Sequence, residues 1–404
     1  MKRVEQHVIG RSHAKFRAID DLAYASKNLW NLANYHVRQA FLFQGKYLNN
    51  AALYPLLKTT DAYKALPAKV ANQVLIQLDT AWTSFFEAND EYKHKTLGRN
   101  LLVFELGTIW KGSLKHQEIA VSQLGLLVFT RQSTTTIDQV RIVPKGDFYV
   151  VEVVYTVDPT PAPLDSTLFA SIDVGVNVLA ALTSNKPGFL PRLVNGRPLK
   201  AVNQLYNKQR EHEQKKLAKG SVPRFTSRFL ESITTKRNRR IMHDLHTASR
   251  RIIDLLVAEG IGTLVIGKNP FWKQGVELGK KNNQEFVQIP HAKFIEMLTY
   301  KAEAVGMTVL LTEESYTSKG SFLDRDPLPN YDPSQGAEQE EKPRFSGTRS
   351  GRWYKVKGRK PIHSDVNGSY NVGRKVFPTA FDGRGIGGTA VRPVQLAGKA
   401  PRSQ

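Results

Sequence analysis

Cysteine is missing from this sequence: none of its 404 residues carries a thiol. This absence excludes disulfide bonds, a zinc site built from thiolates and a cysteine nucleophile. Long apolar runs are missing too, since no window approaches the roughly 18 residues that a membrane-spanning helix needs. The N-terminal stretch MKRVEQHVIGRSHAKF has no apolar core of the signal-peptide kind. We therefore expect a cytoplasmic protein with no membrane partner.

Acidic residues are few beside the basic ones, with 36 Asp and Glu against 58 Lys and Arg and a net charge of +22. An excess of this size usually neutralises phosphates, and such binding weakens steeply as the salt concentration rises. A basic soluble protein without a nucleic-acid partner is the competing interpretation. The length, with 41% hydrophobic residues, suffices for two or three domains.

The N-terminal part of the chain changes its apolar period twice. Apolar residues recur at helical spacing over Ile19–Phe43 and over about 68–92, and the two predicted helices form a hairpin. Over Asn100–Val157 the period becomes two, which is typical of a small β-barrel or sandwich. We therefore predict a β-barrel domain with an inserted helical lobe. The barrel takes residues 1–16 and 100–160, and the lobe takes 17–99.

A stiff linker, Asp158–Pro163, is the predicted domain boundary. Beyond it, the stretch LFASIDVGVNVLAAL, Leu168–Leu182, carries one carboxylate, Asp173, in an apolar run. We predict a strand, a turn at Gly175 and a return strand. A buried acid is costly without a partner, and a divalent cation would supply one. The alternative is a strand-end Asp that caps a turn.

The remaining elements predict an α/β sheet with parallel strands over 164–377. The strand IGTLVIG, Ile261–Gly267, is followed by a helix from about Pro290 to Val305 and by the strand MTVLLTEE. The segment HSDVNGSYNVGRKV is a predicted helix that carries Asp365. Residues 378–404, rich in Gly, Pro, Arg and Lys, are predicted to form a disordered basic tail.

A basic helical arm is predicted over 198–259, with apolar residues on one face. Its other faces are a candidate track for nucleic-acid phosphates, although a merely solvated charged face is the alternative. The candidate binding residues are Lys236, Arg237, Arg239, Arg240, Arg250 and Arg251.

Acids on separate elements of such a sheet suggest an RNase H-type nuclease. The candidates are Asp173, Glu313 or Glu314 at the end of MTVLLTEE, and Asp365. This chemistry requires carboxylates that converge on divalent ions, which lie about 3.5–4 Å apart in two-metal sites. Magnesium or manganese fits, because both prefer oxygen ligands.

Four segments, taken in order, carry a family resemblance: SIDVGVNVLAAL, LVIGKNPFWKQ, EESYTSKGSF and HSDVNGSYNVGRK. Together they resemble the TnpB family of transposon-encoded, RNA-guided DNA nucleases, which are also known as OrfB-type transposases and are related to type V CRISPR effectors. The resemblance implies an α/β RNase H-like (RuvC) nuclease domain and a β-barrel wedge domain with an inserted helical recognition lobe. It also implies a guide RNA from the transposon end, double-stranded target DNA and a place at the prokaryotic nucleoid. Asp173 and Asp365 match the first and third catalytic acids.

The chain departs from this family at the second acid. The family usually ends its second strand with a Glu, where this chain has Gly267. We propose that the acid has moved to Glu313 or Glu314, with a weak preference for Glu314, because their strand should lie beside the one that ends at Gly267. Strand alternation lets at most one of them enter the site. The alternative is that both are surface acids and the site is inactive.

A second departure concerns the zinc ribbon that the family commonly inserts after YTSK. Residues 318–360 correspond to this insert but contain no cysteine, so no zinc is expected at a Cys site. Asp324 and Asp326 could supply replacement ligands, although acids in such loops are usually solvated. We expect packing to hold the insert together, through Phe322, Leu323, Phe345, Trp353 and Tyr354.

Three functions follow from these observations. The first is a transposon-associated, RNA-guided DNA endonuclease with a divalent-metal site that supports transposition or recombination. The second is a nuclease-dead, RNA-guided repressor, which Gly267 favours and which the retention of Asp173 and Asp365 opposes. The third is a strand-transferring transposase, which needs no guide RNA.

Overall fold

A computed structural model of the chain describes eleven stretches of residues. They are 2–88, 98–109, 111–114, 116–121, 124–132, 137–146, 148–219, 226–268, 289–330, 343–381 and 393–396. The chain divides into two compact units, Met1–Asp158 and Pro159–Gln404, and the division falls inside the segment predicted as a linker. Within the described stretches no helix combines the length and the apolarity that crossing a membrane requires. Most of the predicted tail, 378–404, lies outside the described residues.

The first unit contains a four-stranded antiparallel sheet in the order β1-β6-β5-β2 and a separate antiparallel pair, β3–β4. The strands are β1 Lys2–Ile9, β2 Leu102–Glu105, β3 Glu118–Val121, β4 Leu126–Phe129, β5 Ile137–Pro144 and β6 Tyr149–Thr156. The change to a period of two correctly located strands β2 to β6. Closure into a barrel is not confirmed by these strands and stays a prediction.

Four of the helices of the first unit lie between β1 and β2 along the chain, as expected for an inserted lobe. The helices are α1 Phe16–Gln44, α2 Asn50–Leu57, α3 Asp61–Lys64, α4 Ala68–Ala88 and, after β2, the short α5 Lys111–Leu114. Helices α2 and α3 are absent from the sequence interpretation, partly because Pro55, a residue that normally signals a helix end, lies inside α2. The indole of Trp82 donates a buried hydrogen bond to Asn34 (2.9 Å), so this aromatic side chain belongs to the core of the first unit.

The second unit is built on a six-stranded mixed sheet in the order β11-β10-β7-β8-β9-β15. Its strands are β7 Asp165–Val174, β8 Val178–Ser184, β9 Arg192–Asn195, β10 Ile261–Gly267, β11 Thr308–Thr312 and β15 Val394–Gln395. Strands β7, β10 and β11 are parallel, whereas β8 runs antiparallel to β7 and to β9. The predicted neighbourhood of the last two strands is confirmed, since Gly267 at the end of β10 lies opposite Thr312 at the end of β11.

The helices of the second unit cover both faces of this sheet. Within the described residues they are α6 Arg197–Ala218, α7 Arg228–Ala258, α8 His291–Glu303 and α9 Ser364–Val376. A small antiparallel sheet, β12 Gly347–Ser350, β13 Trp353–Val356 and β14 Ile362–His363, precedes α9. Buried residues of α7 and α8 share one apolar cluster with Ala170 and Ile172 of β7, whereas buried residues of α9 share another with Phe169. Strand alternation therefore turns Asp173 toward the α9 face.

Candidate active site

Asp173 is the penultimate residue of β7 and pairs in register with Ala181 of β8. The turn beyond it is tight: the backbone N–H of Gly175 donates to the carbonyl of Leu179 (3.2 Å), and the buried His291 bonds to the carbonyl of Gly175 (3.1 Å). The strand and turn that the apolar run predicted are thus present. They hold the carboxylate at the end of the strand.

Helix α9 approaches β7 closely because small residues line its inner face. The hydroxyl of Ser369 donates to the backbone carbonyl of Ser171 (2.9 Å), directly beneath the helix. A Cβ on Gly368 would lie 2.5 Å from Oδ2 of Asp173, so only glycine leaves room for that carboxylate. Asp365 lies three residues before Gly368 and is thereby brought to the same end of the strand.

Glu314 reaches the site from the loop that follows β11. A Cβ added to Gly267 would lie 2.2 Å from Oε1, 2.6 Å from Cγ and 2.8 Å from Cδ of Glu314. The carboxylate of Glu314 therefore occupies the space beside the end of β10 that any side chain at position 267 would need. The glycine at position 267 and the glutamate at position 314 are complementary.

Glu313 points away from the cavity, so only one member of the pair faces the site, as predicted, although both lie in the loop after β11. Its carboxylate forms an ion pair with Lys375 near the end of α9 and accepts the backbone N–H of Ser315 (2.7 Å). Burial lowers the pKa of Lys375 to about 8. Of the two candidate glutamates, only Glu314 lines the cavity with the other acids.

Asp173, Glu314 and Asp365 line one cavity of about 1080 Å³. Burial first and the neighbouring Asp365 second raise the pKa of Asp173, and with Arg349 partly opposing both the pKa is about 7. Burial likewise raises the pKa of Glu314 to about 8, with repulsion from Asp173 as the second cause. Repulsion between the ionised acids therefore opposes the ionisation of both Asp173 and Glu314.

Arg349 of β12 is a functional candidate that the sequence did not reveal. Its Nη2 donates to Oδ1 of Asp365 at 2.9 Å, and it lines the same cavity. His363 also borders the cavity, and burial lowers its pKa although Asp365 partly opposes that shift. Strand β12, which carries Arg349, and its partner β13 were not predicted, because each is only four residues long and lacks an alternating apolar pattern.

The acid cavity has the donor set of a hard divalent cation but is not a preformed metal cage. Across the residues that the structure describes, no three His, Asp or Glu side chains lie close enough together to hold one metal ion. Three carboxylates from β7, the β11 loop and α9 nevertheless border one space, and their raised pKa values show that a nearby cation would favour their ionised forms. The chemistry of these donors, although not their present spacing, fits magnesium or manganese.

The predicted basic arm comprises helices α6 and α7. Lys236 and Arg239 are exposed on α7, and Arg251 is half-buried. Arg240 and Arg250 form ion pairs one helical turn along, at 3.1 Å with Asp244 and 2.9 Å with Asp254. Nucleic-acid binding by these residues stays a prediction.

Arg237 differs from the other candidates of the arm. Its Nε donates to Asn203 of α6 (2.8 Å), and its guanidinium lies over the ring of Tyr206. Burial lowers its pKa. The side chain joins α6 to α7, so it is less available to phosphates than the sequence suggested.

The insert without cysteines is held by both packing and polar contacts. Phe322 stacks on Tyr370 (centroids 4.2 Å apart), and Leu323 packs on the same cluster. Phe345 packs near Tyr316, while Tyr354 is buried, and these positions agree with the packing prediction. Trp353 is 37% exposed and contributes little to this packing.

The two loop acids of the insert are neither solvated nor open to a metal. Asp324 pairs with Arg359 (2.9 Å) and accepts the hydroxyl of Ser321 (2.5 Å). Asp326 is 5% exposed and accepts hydrogen bonds from Ser321 and Ser346. The expectation that such acids are solvated was wrong for Asp326, because the fold surrounds it with donors.

Comparisons with known proteins agree with the motifs. Residues 152–271 match the family OrfB_IS605, described as a probable transposase, and residues 291–372 match the Cas12f1-like TNB domain. No curated protein matches the chain significantly. Among solved structures, a Cas12f1–sgRNA–target DNA complex is similar with a TM-score of 0.56 and 13% identity, over 88% of this chain and 82% of that one.

Two further structures are similar at lower TM-scores. A CRISPR-Cas12f ternary complex gives 0.39 with 12% identity, over 88% of this chain and 80% of that one. The mini-RNA-guided endonuclease CRISPR-Cas_phi3 gives 0.39 with 9% identity, over 93% and 92%. The Cas12f1 likeness shows that this chain shares the fold of that effector. Together with the two family matches, it supports a TnpB-like protein.

Proposed function

We propose that this protein is a transposon-associated, RNA-guided DNA endonuclease that hydrolyses its target at the cavity lined by Asp173, Glu314 and Asp365. The observation that carries the proposal is the fit between Gly267 and Glu314. A site that had merely lost its second acid would leave the space beside β10 empty. Here a glutamate from the loop after the neighbouring strand fills it, which supports replacement of the missing motif residue rather than its loss.

The strand order supports an RNase H-like description of the nuclease domain. Three antiparallel strands, β9-β8-β7, are extended beyond β7 by the parallel strands β10 and β11, and a final helix, α9, lies against β7 and β8. This arrangement brings the end of β7, the loop after β11 and the start of α9 to one cavity, and the end of β10 lies beside Glu314. Carboxylates from distant parts of the chain thereby become neighbours.

The three acids would hold one or two magnesium or manganese ions. Asp173 would be the central acid, because Asp365 raises its pKa and its own charge raises the pKa of Glu314. When bound, such ions activate a water and stabilise the charge of the leaving oxygen. Arg349 holds the carboxylate of Asp365 and keeps a positive charge beside Asp173. Gly368 leaves the space into which the Asp173 carboxylate extends.

The proposed partners are a guide RNA from the transposon end and a double-stranded DNA target. The structural neighbours are complexes with guide RNA and target DNA, and the net charge of +22 provides the means to bind phosphates. Base pairing with the guide would supply sequence choice, while basic residues such as Lys236 and Arg239 would hold the backbone.

The test is cleavage of a target plasmid by protein co-purified with its RNA, in the presence of magnesium. Asp173→Ala, Glu314→Ala and Asp365→Ala should each lower the rate by about 100-fold or more, because each removes a carboxylate from the cavity. Glu313→Ala is the matched control, with an expected change below about tenfold. Thermal melting would check its folding, since Lys375 loses its partner in that variant.

Three other outcomes would contradict the proposal. Equal losses in the two glutamate variants would refute the assignment of Glu314 as the relocated acid. RNA-dependent target binding without cleavage by the unmutated protein would favour a repressor. Joined DNA strands without RNA would favour a strand-transferring transposase.

A further inference from the structure

The small sheet β12–β13–β14 requires an anchor outside itself. Its strands are four, four and two residues long, and so small a sheet is marginal on its own in water. No cysteine is available to crosslink it or to bind zinc. Nevertheless it places Arg349 at 2.9 Å from Asp365, so its position relative to α9 must be fixed by other contacts.

The carboxylate of Asp326 joins two segments of the insert. Its Oδ2 accepts the backbone N–H of Ser321 (2.7 Å) and that of Ser346 (2.9 Å), and its Oδ1 accepts the hydroxyl of Ser346 (2.5 Å). Ser346 immediately precedes β12 and lies three residues before Arg349. Hydrogen bonds to a buried carboxylate are stronger than neutral ones, so this contact can define where the hairpin begins.

The turn that contains Ser321 is itself fixed to α9. The side chain of Asn367 donates to the carbonyl of Gly320 (2.7 Å) and accepts the backbone N–H of Phe322 (2.9 Å). Asn371, one helical turn later, also donates to the carbonyl of Gly320 (2.8 Å). Because Asn367 lies two residues after Asp365, the helix that contains the acid also holds the turn through these hydrogen bonds.

These contacts form a closed path. It runs from Asp365 through Asn367 and the turn to Asp326, then through Ser346 and β12 to Arg349, which returns to Asp365. Two further contacts, Tyr354 to the carbonyl of Lys319 and Arg359 to Asp324, hold other parts of the insert. Asp326 therefore fixes the open end of the hairpin, three residues before Arg349, whereas the turn end is held by the backbone N–H of Ser364, which donates to the carbonyl of Arg352 (2.9 Å).

We propose that Asp326 is a positioning residue that takes the place of a covalent or metal crosslink and holds Arg349 against the catalytic acids. It is not a metal ligand, because N–H and O–H donors from Ser321 and Ser346 engage both of its oxygens. The inference rests on the proposed function, since Arg349 contacts one of the acids assigned there.

The experiment compares Asp326→Ala, Asp326→Asn and Ser346→Ala with Thr348→Ala, the matched control. Thr348 is an exposed hydroxyl residue on β12, two positions from Ser346. Hydrogen exchange of the hairpin amides and the kcat and KM of plasmid cleavage are measured on the full chain with its RNA. Asp326→Ala should accelerate exchange of residues 346–356 about tenfold or more. It should lower kcat about tenfold with KM changed less than about threefold.

Asp326→Asn should retain exchange and kcat within about threefold of the unmutated protein. Its amide oxygen can accept both backbone N–H groups while its NH₂ donates to the hydroxyl of Ser346. A metal ligand would not tolerate this change. Ser346→Ala should fall between Asp326→Asn and Asp326→Ala, and Thr348→Ala should change neither quantity.

A double-mutant cycle with Arg349→Ala tests whether Asp326 acts through that residue. Asp326→Ala should cause no further loss of kcat when Arg349 is already absent, whereas independent effects would multiply. Multiplying effects, or unchanged hairpin exchange in Asp326→Ala, would overturn the inference. If the unmutated protein does not cleave DNA, the proposed function fails, and hydrogen exchange alone then decides the role of Asp326. If Asp326→Ala does not fold, the Asn and Ser346→Ala variants decide it.

Discussion

The substitution Gly267→Ala should displace Glu314 and abolish most of the cleavage activity. The added Cβ would lie 2.2 Å from Oε1 of Glu314, whereas ordinary contacts begin at 3.4 Å, so this oxygen must retreat by about 1 Å. A displacement of about 1 Å at a catalytic group can cost on the order of 100-fold in rate. We therefore expect about a 100-fold slower single-turnover cleavage of a target plasmid in magnesium.

Two controls separate displacement from misfolding. Gly10→Ala adds the same methyl group where no heavy atom lies within 4 Å, and it should cleave at the unmutated rate. The midpoint of thermal unfolding should change by no more than a few degrees in Gly267→Ala, because a flexible side chain at the edge of a cavity can yield. Cleavage by Gly267→Ala at the unmutated rate would refute the placement of Glu314 as the second acid.

The exchange variant Gly267→Glu with Glu314→Gly extends the same test. It returns an acid to the end of β10 and removes the side chain that now occupies that space. We expect its rate to exceed that of Gly267→Glu alone by about tenfold or more, since only the double variant relieves the clash. Equal rates in the two variants would contradict the complementarity of the two positions.

Three further predictions concern the same unit. Gly368→Ala should slow cleavage about 100-fold by displacing the carboxylate of Asp173. Alanine is favoured over glycine within a helix by about 1 kcal/mol, so helix propensity itself does not lower the stability of this variant. Plasmid cleavage measures the loss of rate, and thermal melting measures the stability. Asp173→Asn should raise the unfolding midpoint of the metal-free protein more at pH 8 than at pH 5, by about 2–4 °C for each kcal/mol relieved. The raised pKa of about 7 means that the unmutated fold loses stability as pH rises from its unfolded value of 3.8 through 7, and an equal rise at both pH values would contradict this. Lys236→Ala with Arg239→Ala should weaken RNA binding and reduce its salt slope by about 0.7–0.9 for each phosphate that the variant no longer neutralises, and an unchanged slope in a filter-binding titration would exclude these two side chains from the RNA-binding surface.

Much of the nuclease domain could be predicted from the sequence because its strands and last helix have strong local signals. A single acid in an apolar run identified Asp173, and alternation along β7 determines the face to which it points. The helix that carries Asp365 has glycine and serine where it meets the sheet, at Gly368 and Ser369. These features depend on residues close together in sequence, so a single sequence contains them.

The choice between Glu313 and Glu314 could not be made in the same way. Strand β11 ends at Thr312, so both residues lie in a loop where the period of two no longer decides which side chain points inward. The choice depends on Lys375, which pairs with Glu313 from the end of α9, and on the space beside Gly267. Both are contacts between distant segments, which the folded structure alone reveals.

The insert shows the same limit of local sequence, because here a local signature predicted the wrong environment for an acid. Acids before a proline in a polar loop are usually solvated, and Asp326 has this local signature. Its burial arises from Ser346, 20 residues later, and from α9, to which the turn is fixed. Arg349 likewise reaches the site through a contact between separate elements, its hydrogen bond to Asp365. Local sequence therefore predicts which elements form, whereas the partners of polar side chains depend on how those elements meet.

A missing acid in a motif is consequently weak evidence that a nuclease of this fold is inactive. Two adjacent parallel strands end at the same edge of the sheet, so a carboxylate can reach one cavity from either strand, provided that the other position leaves it room. Gly267 leaves that room and Glu314 fills it, and neither change would serve without the other. Burying Glu314 beside Asp173 raises the pKa of Glu314 and costs stability at neutral pH, a cost that the cation of the proposed function would offset.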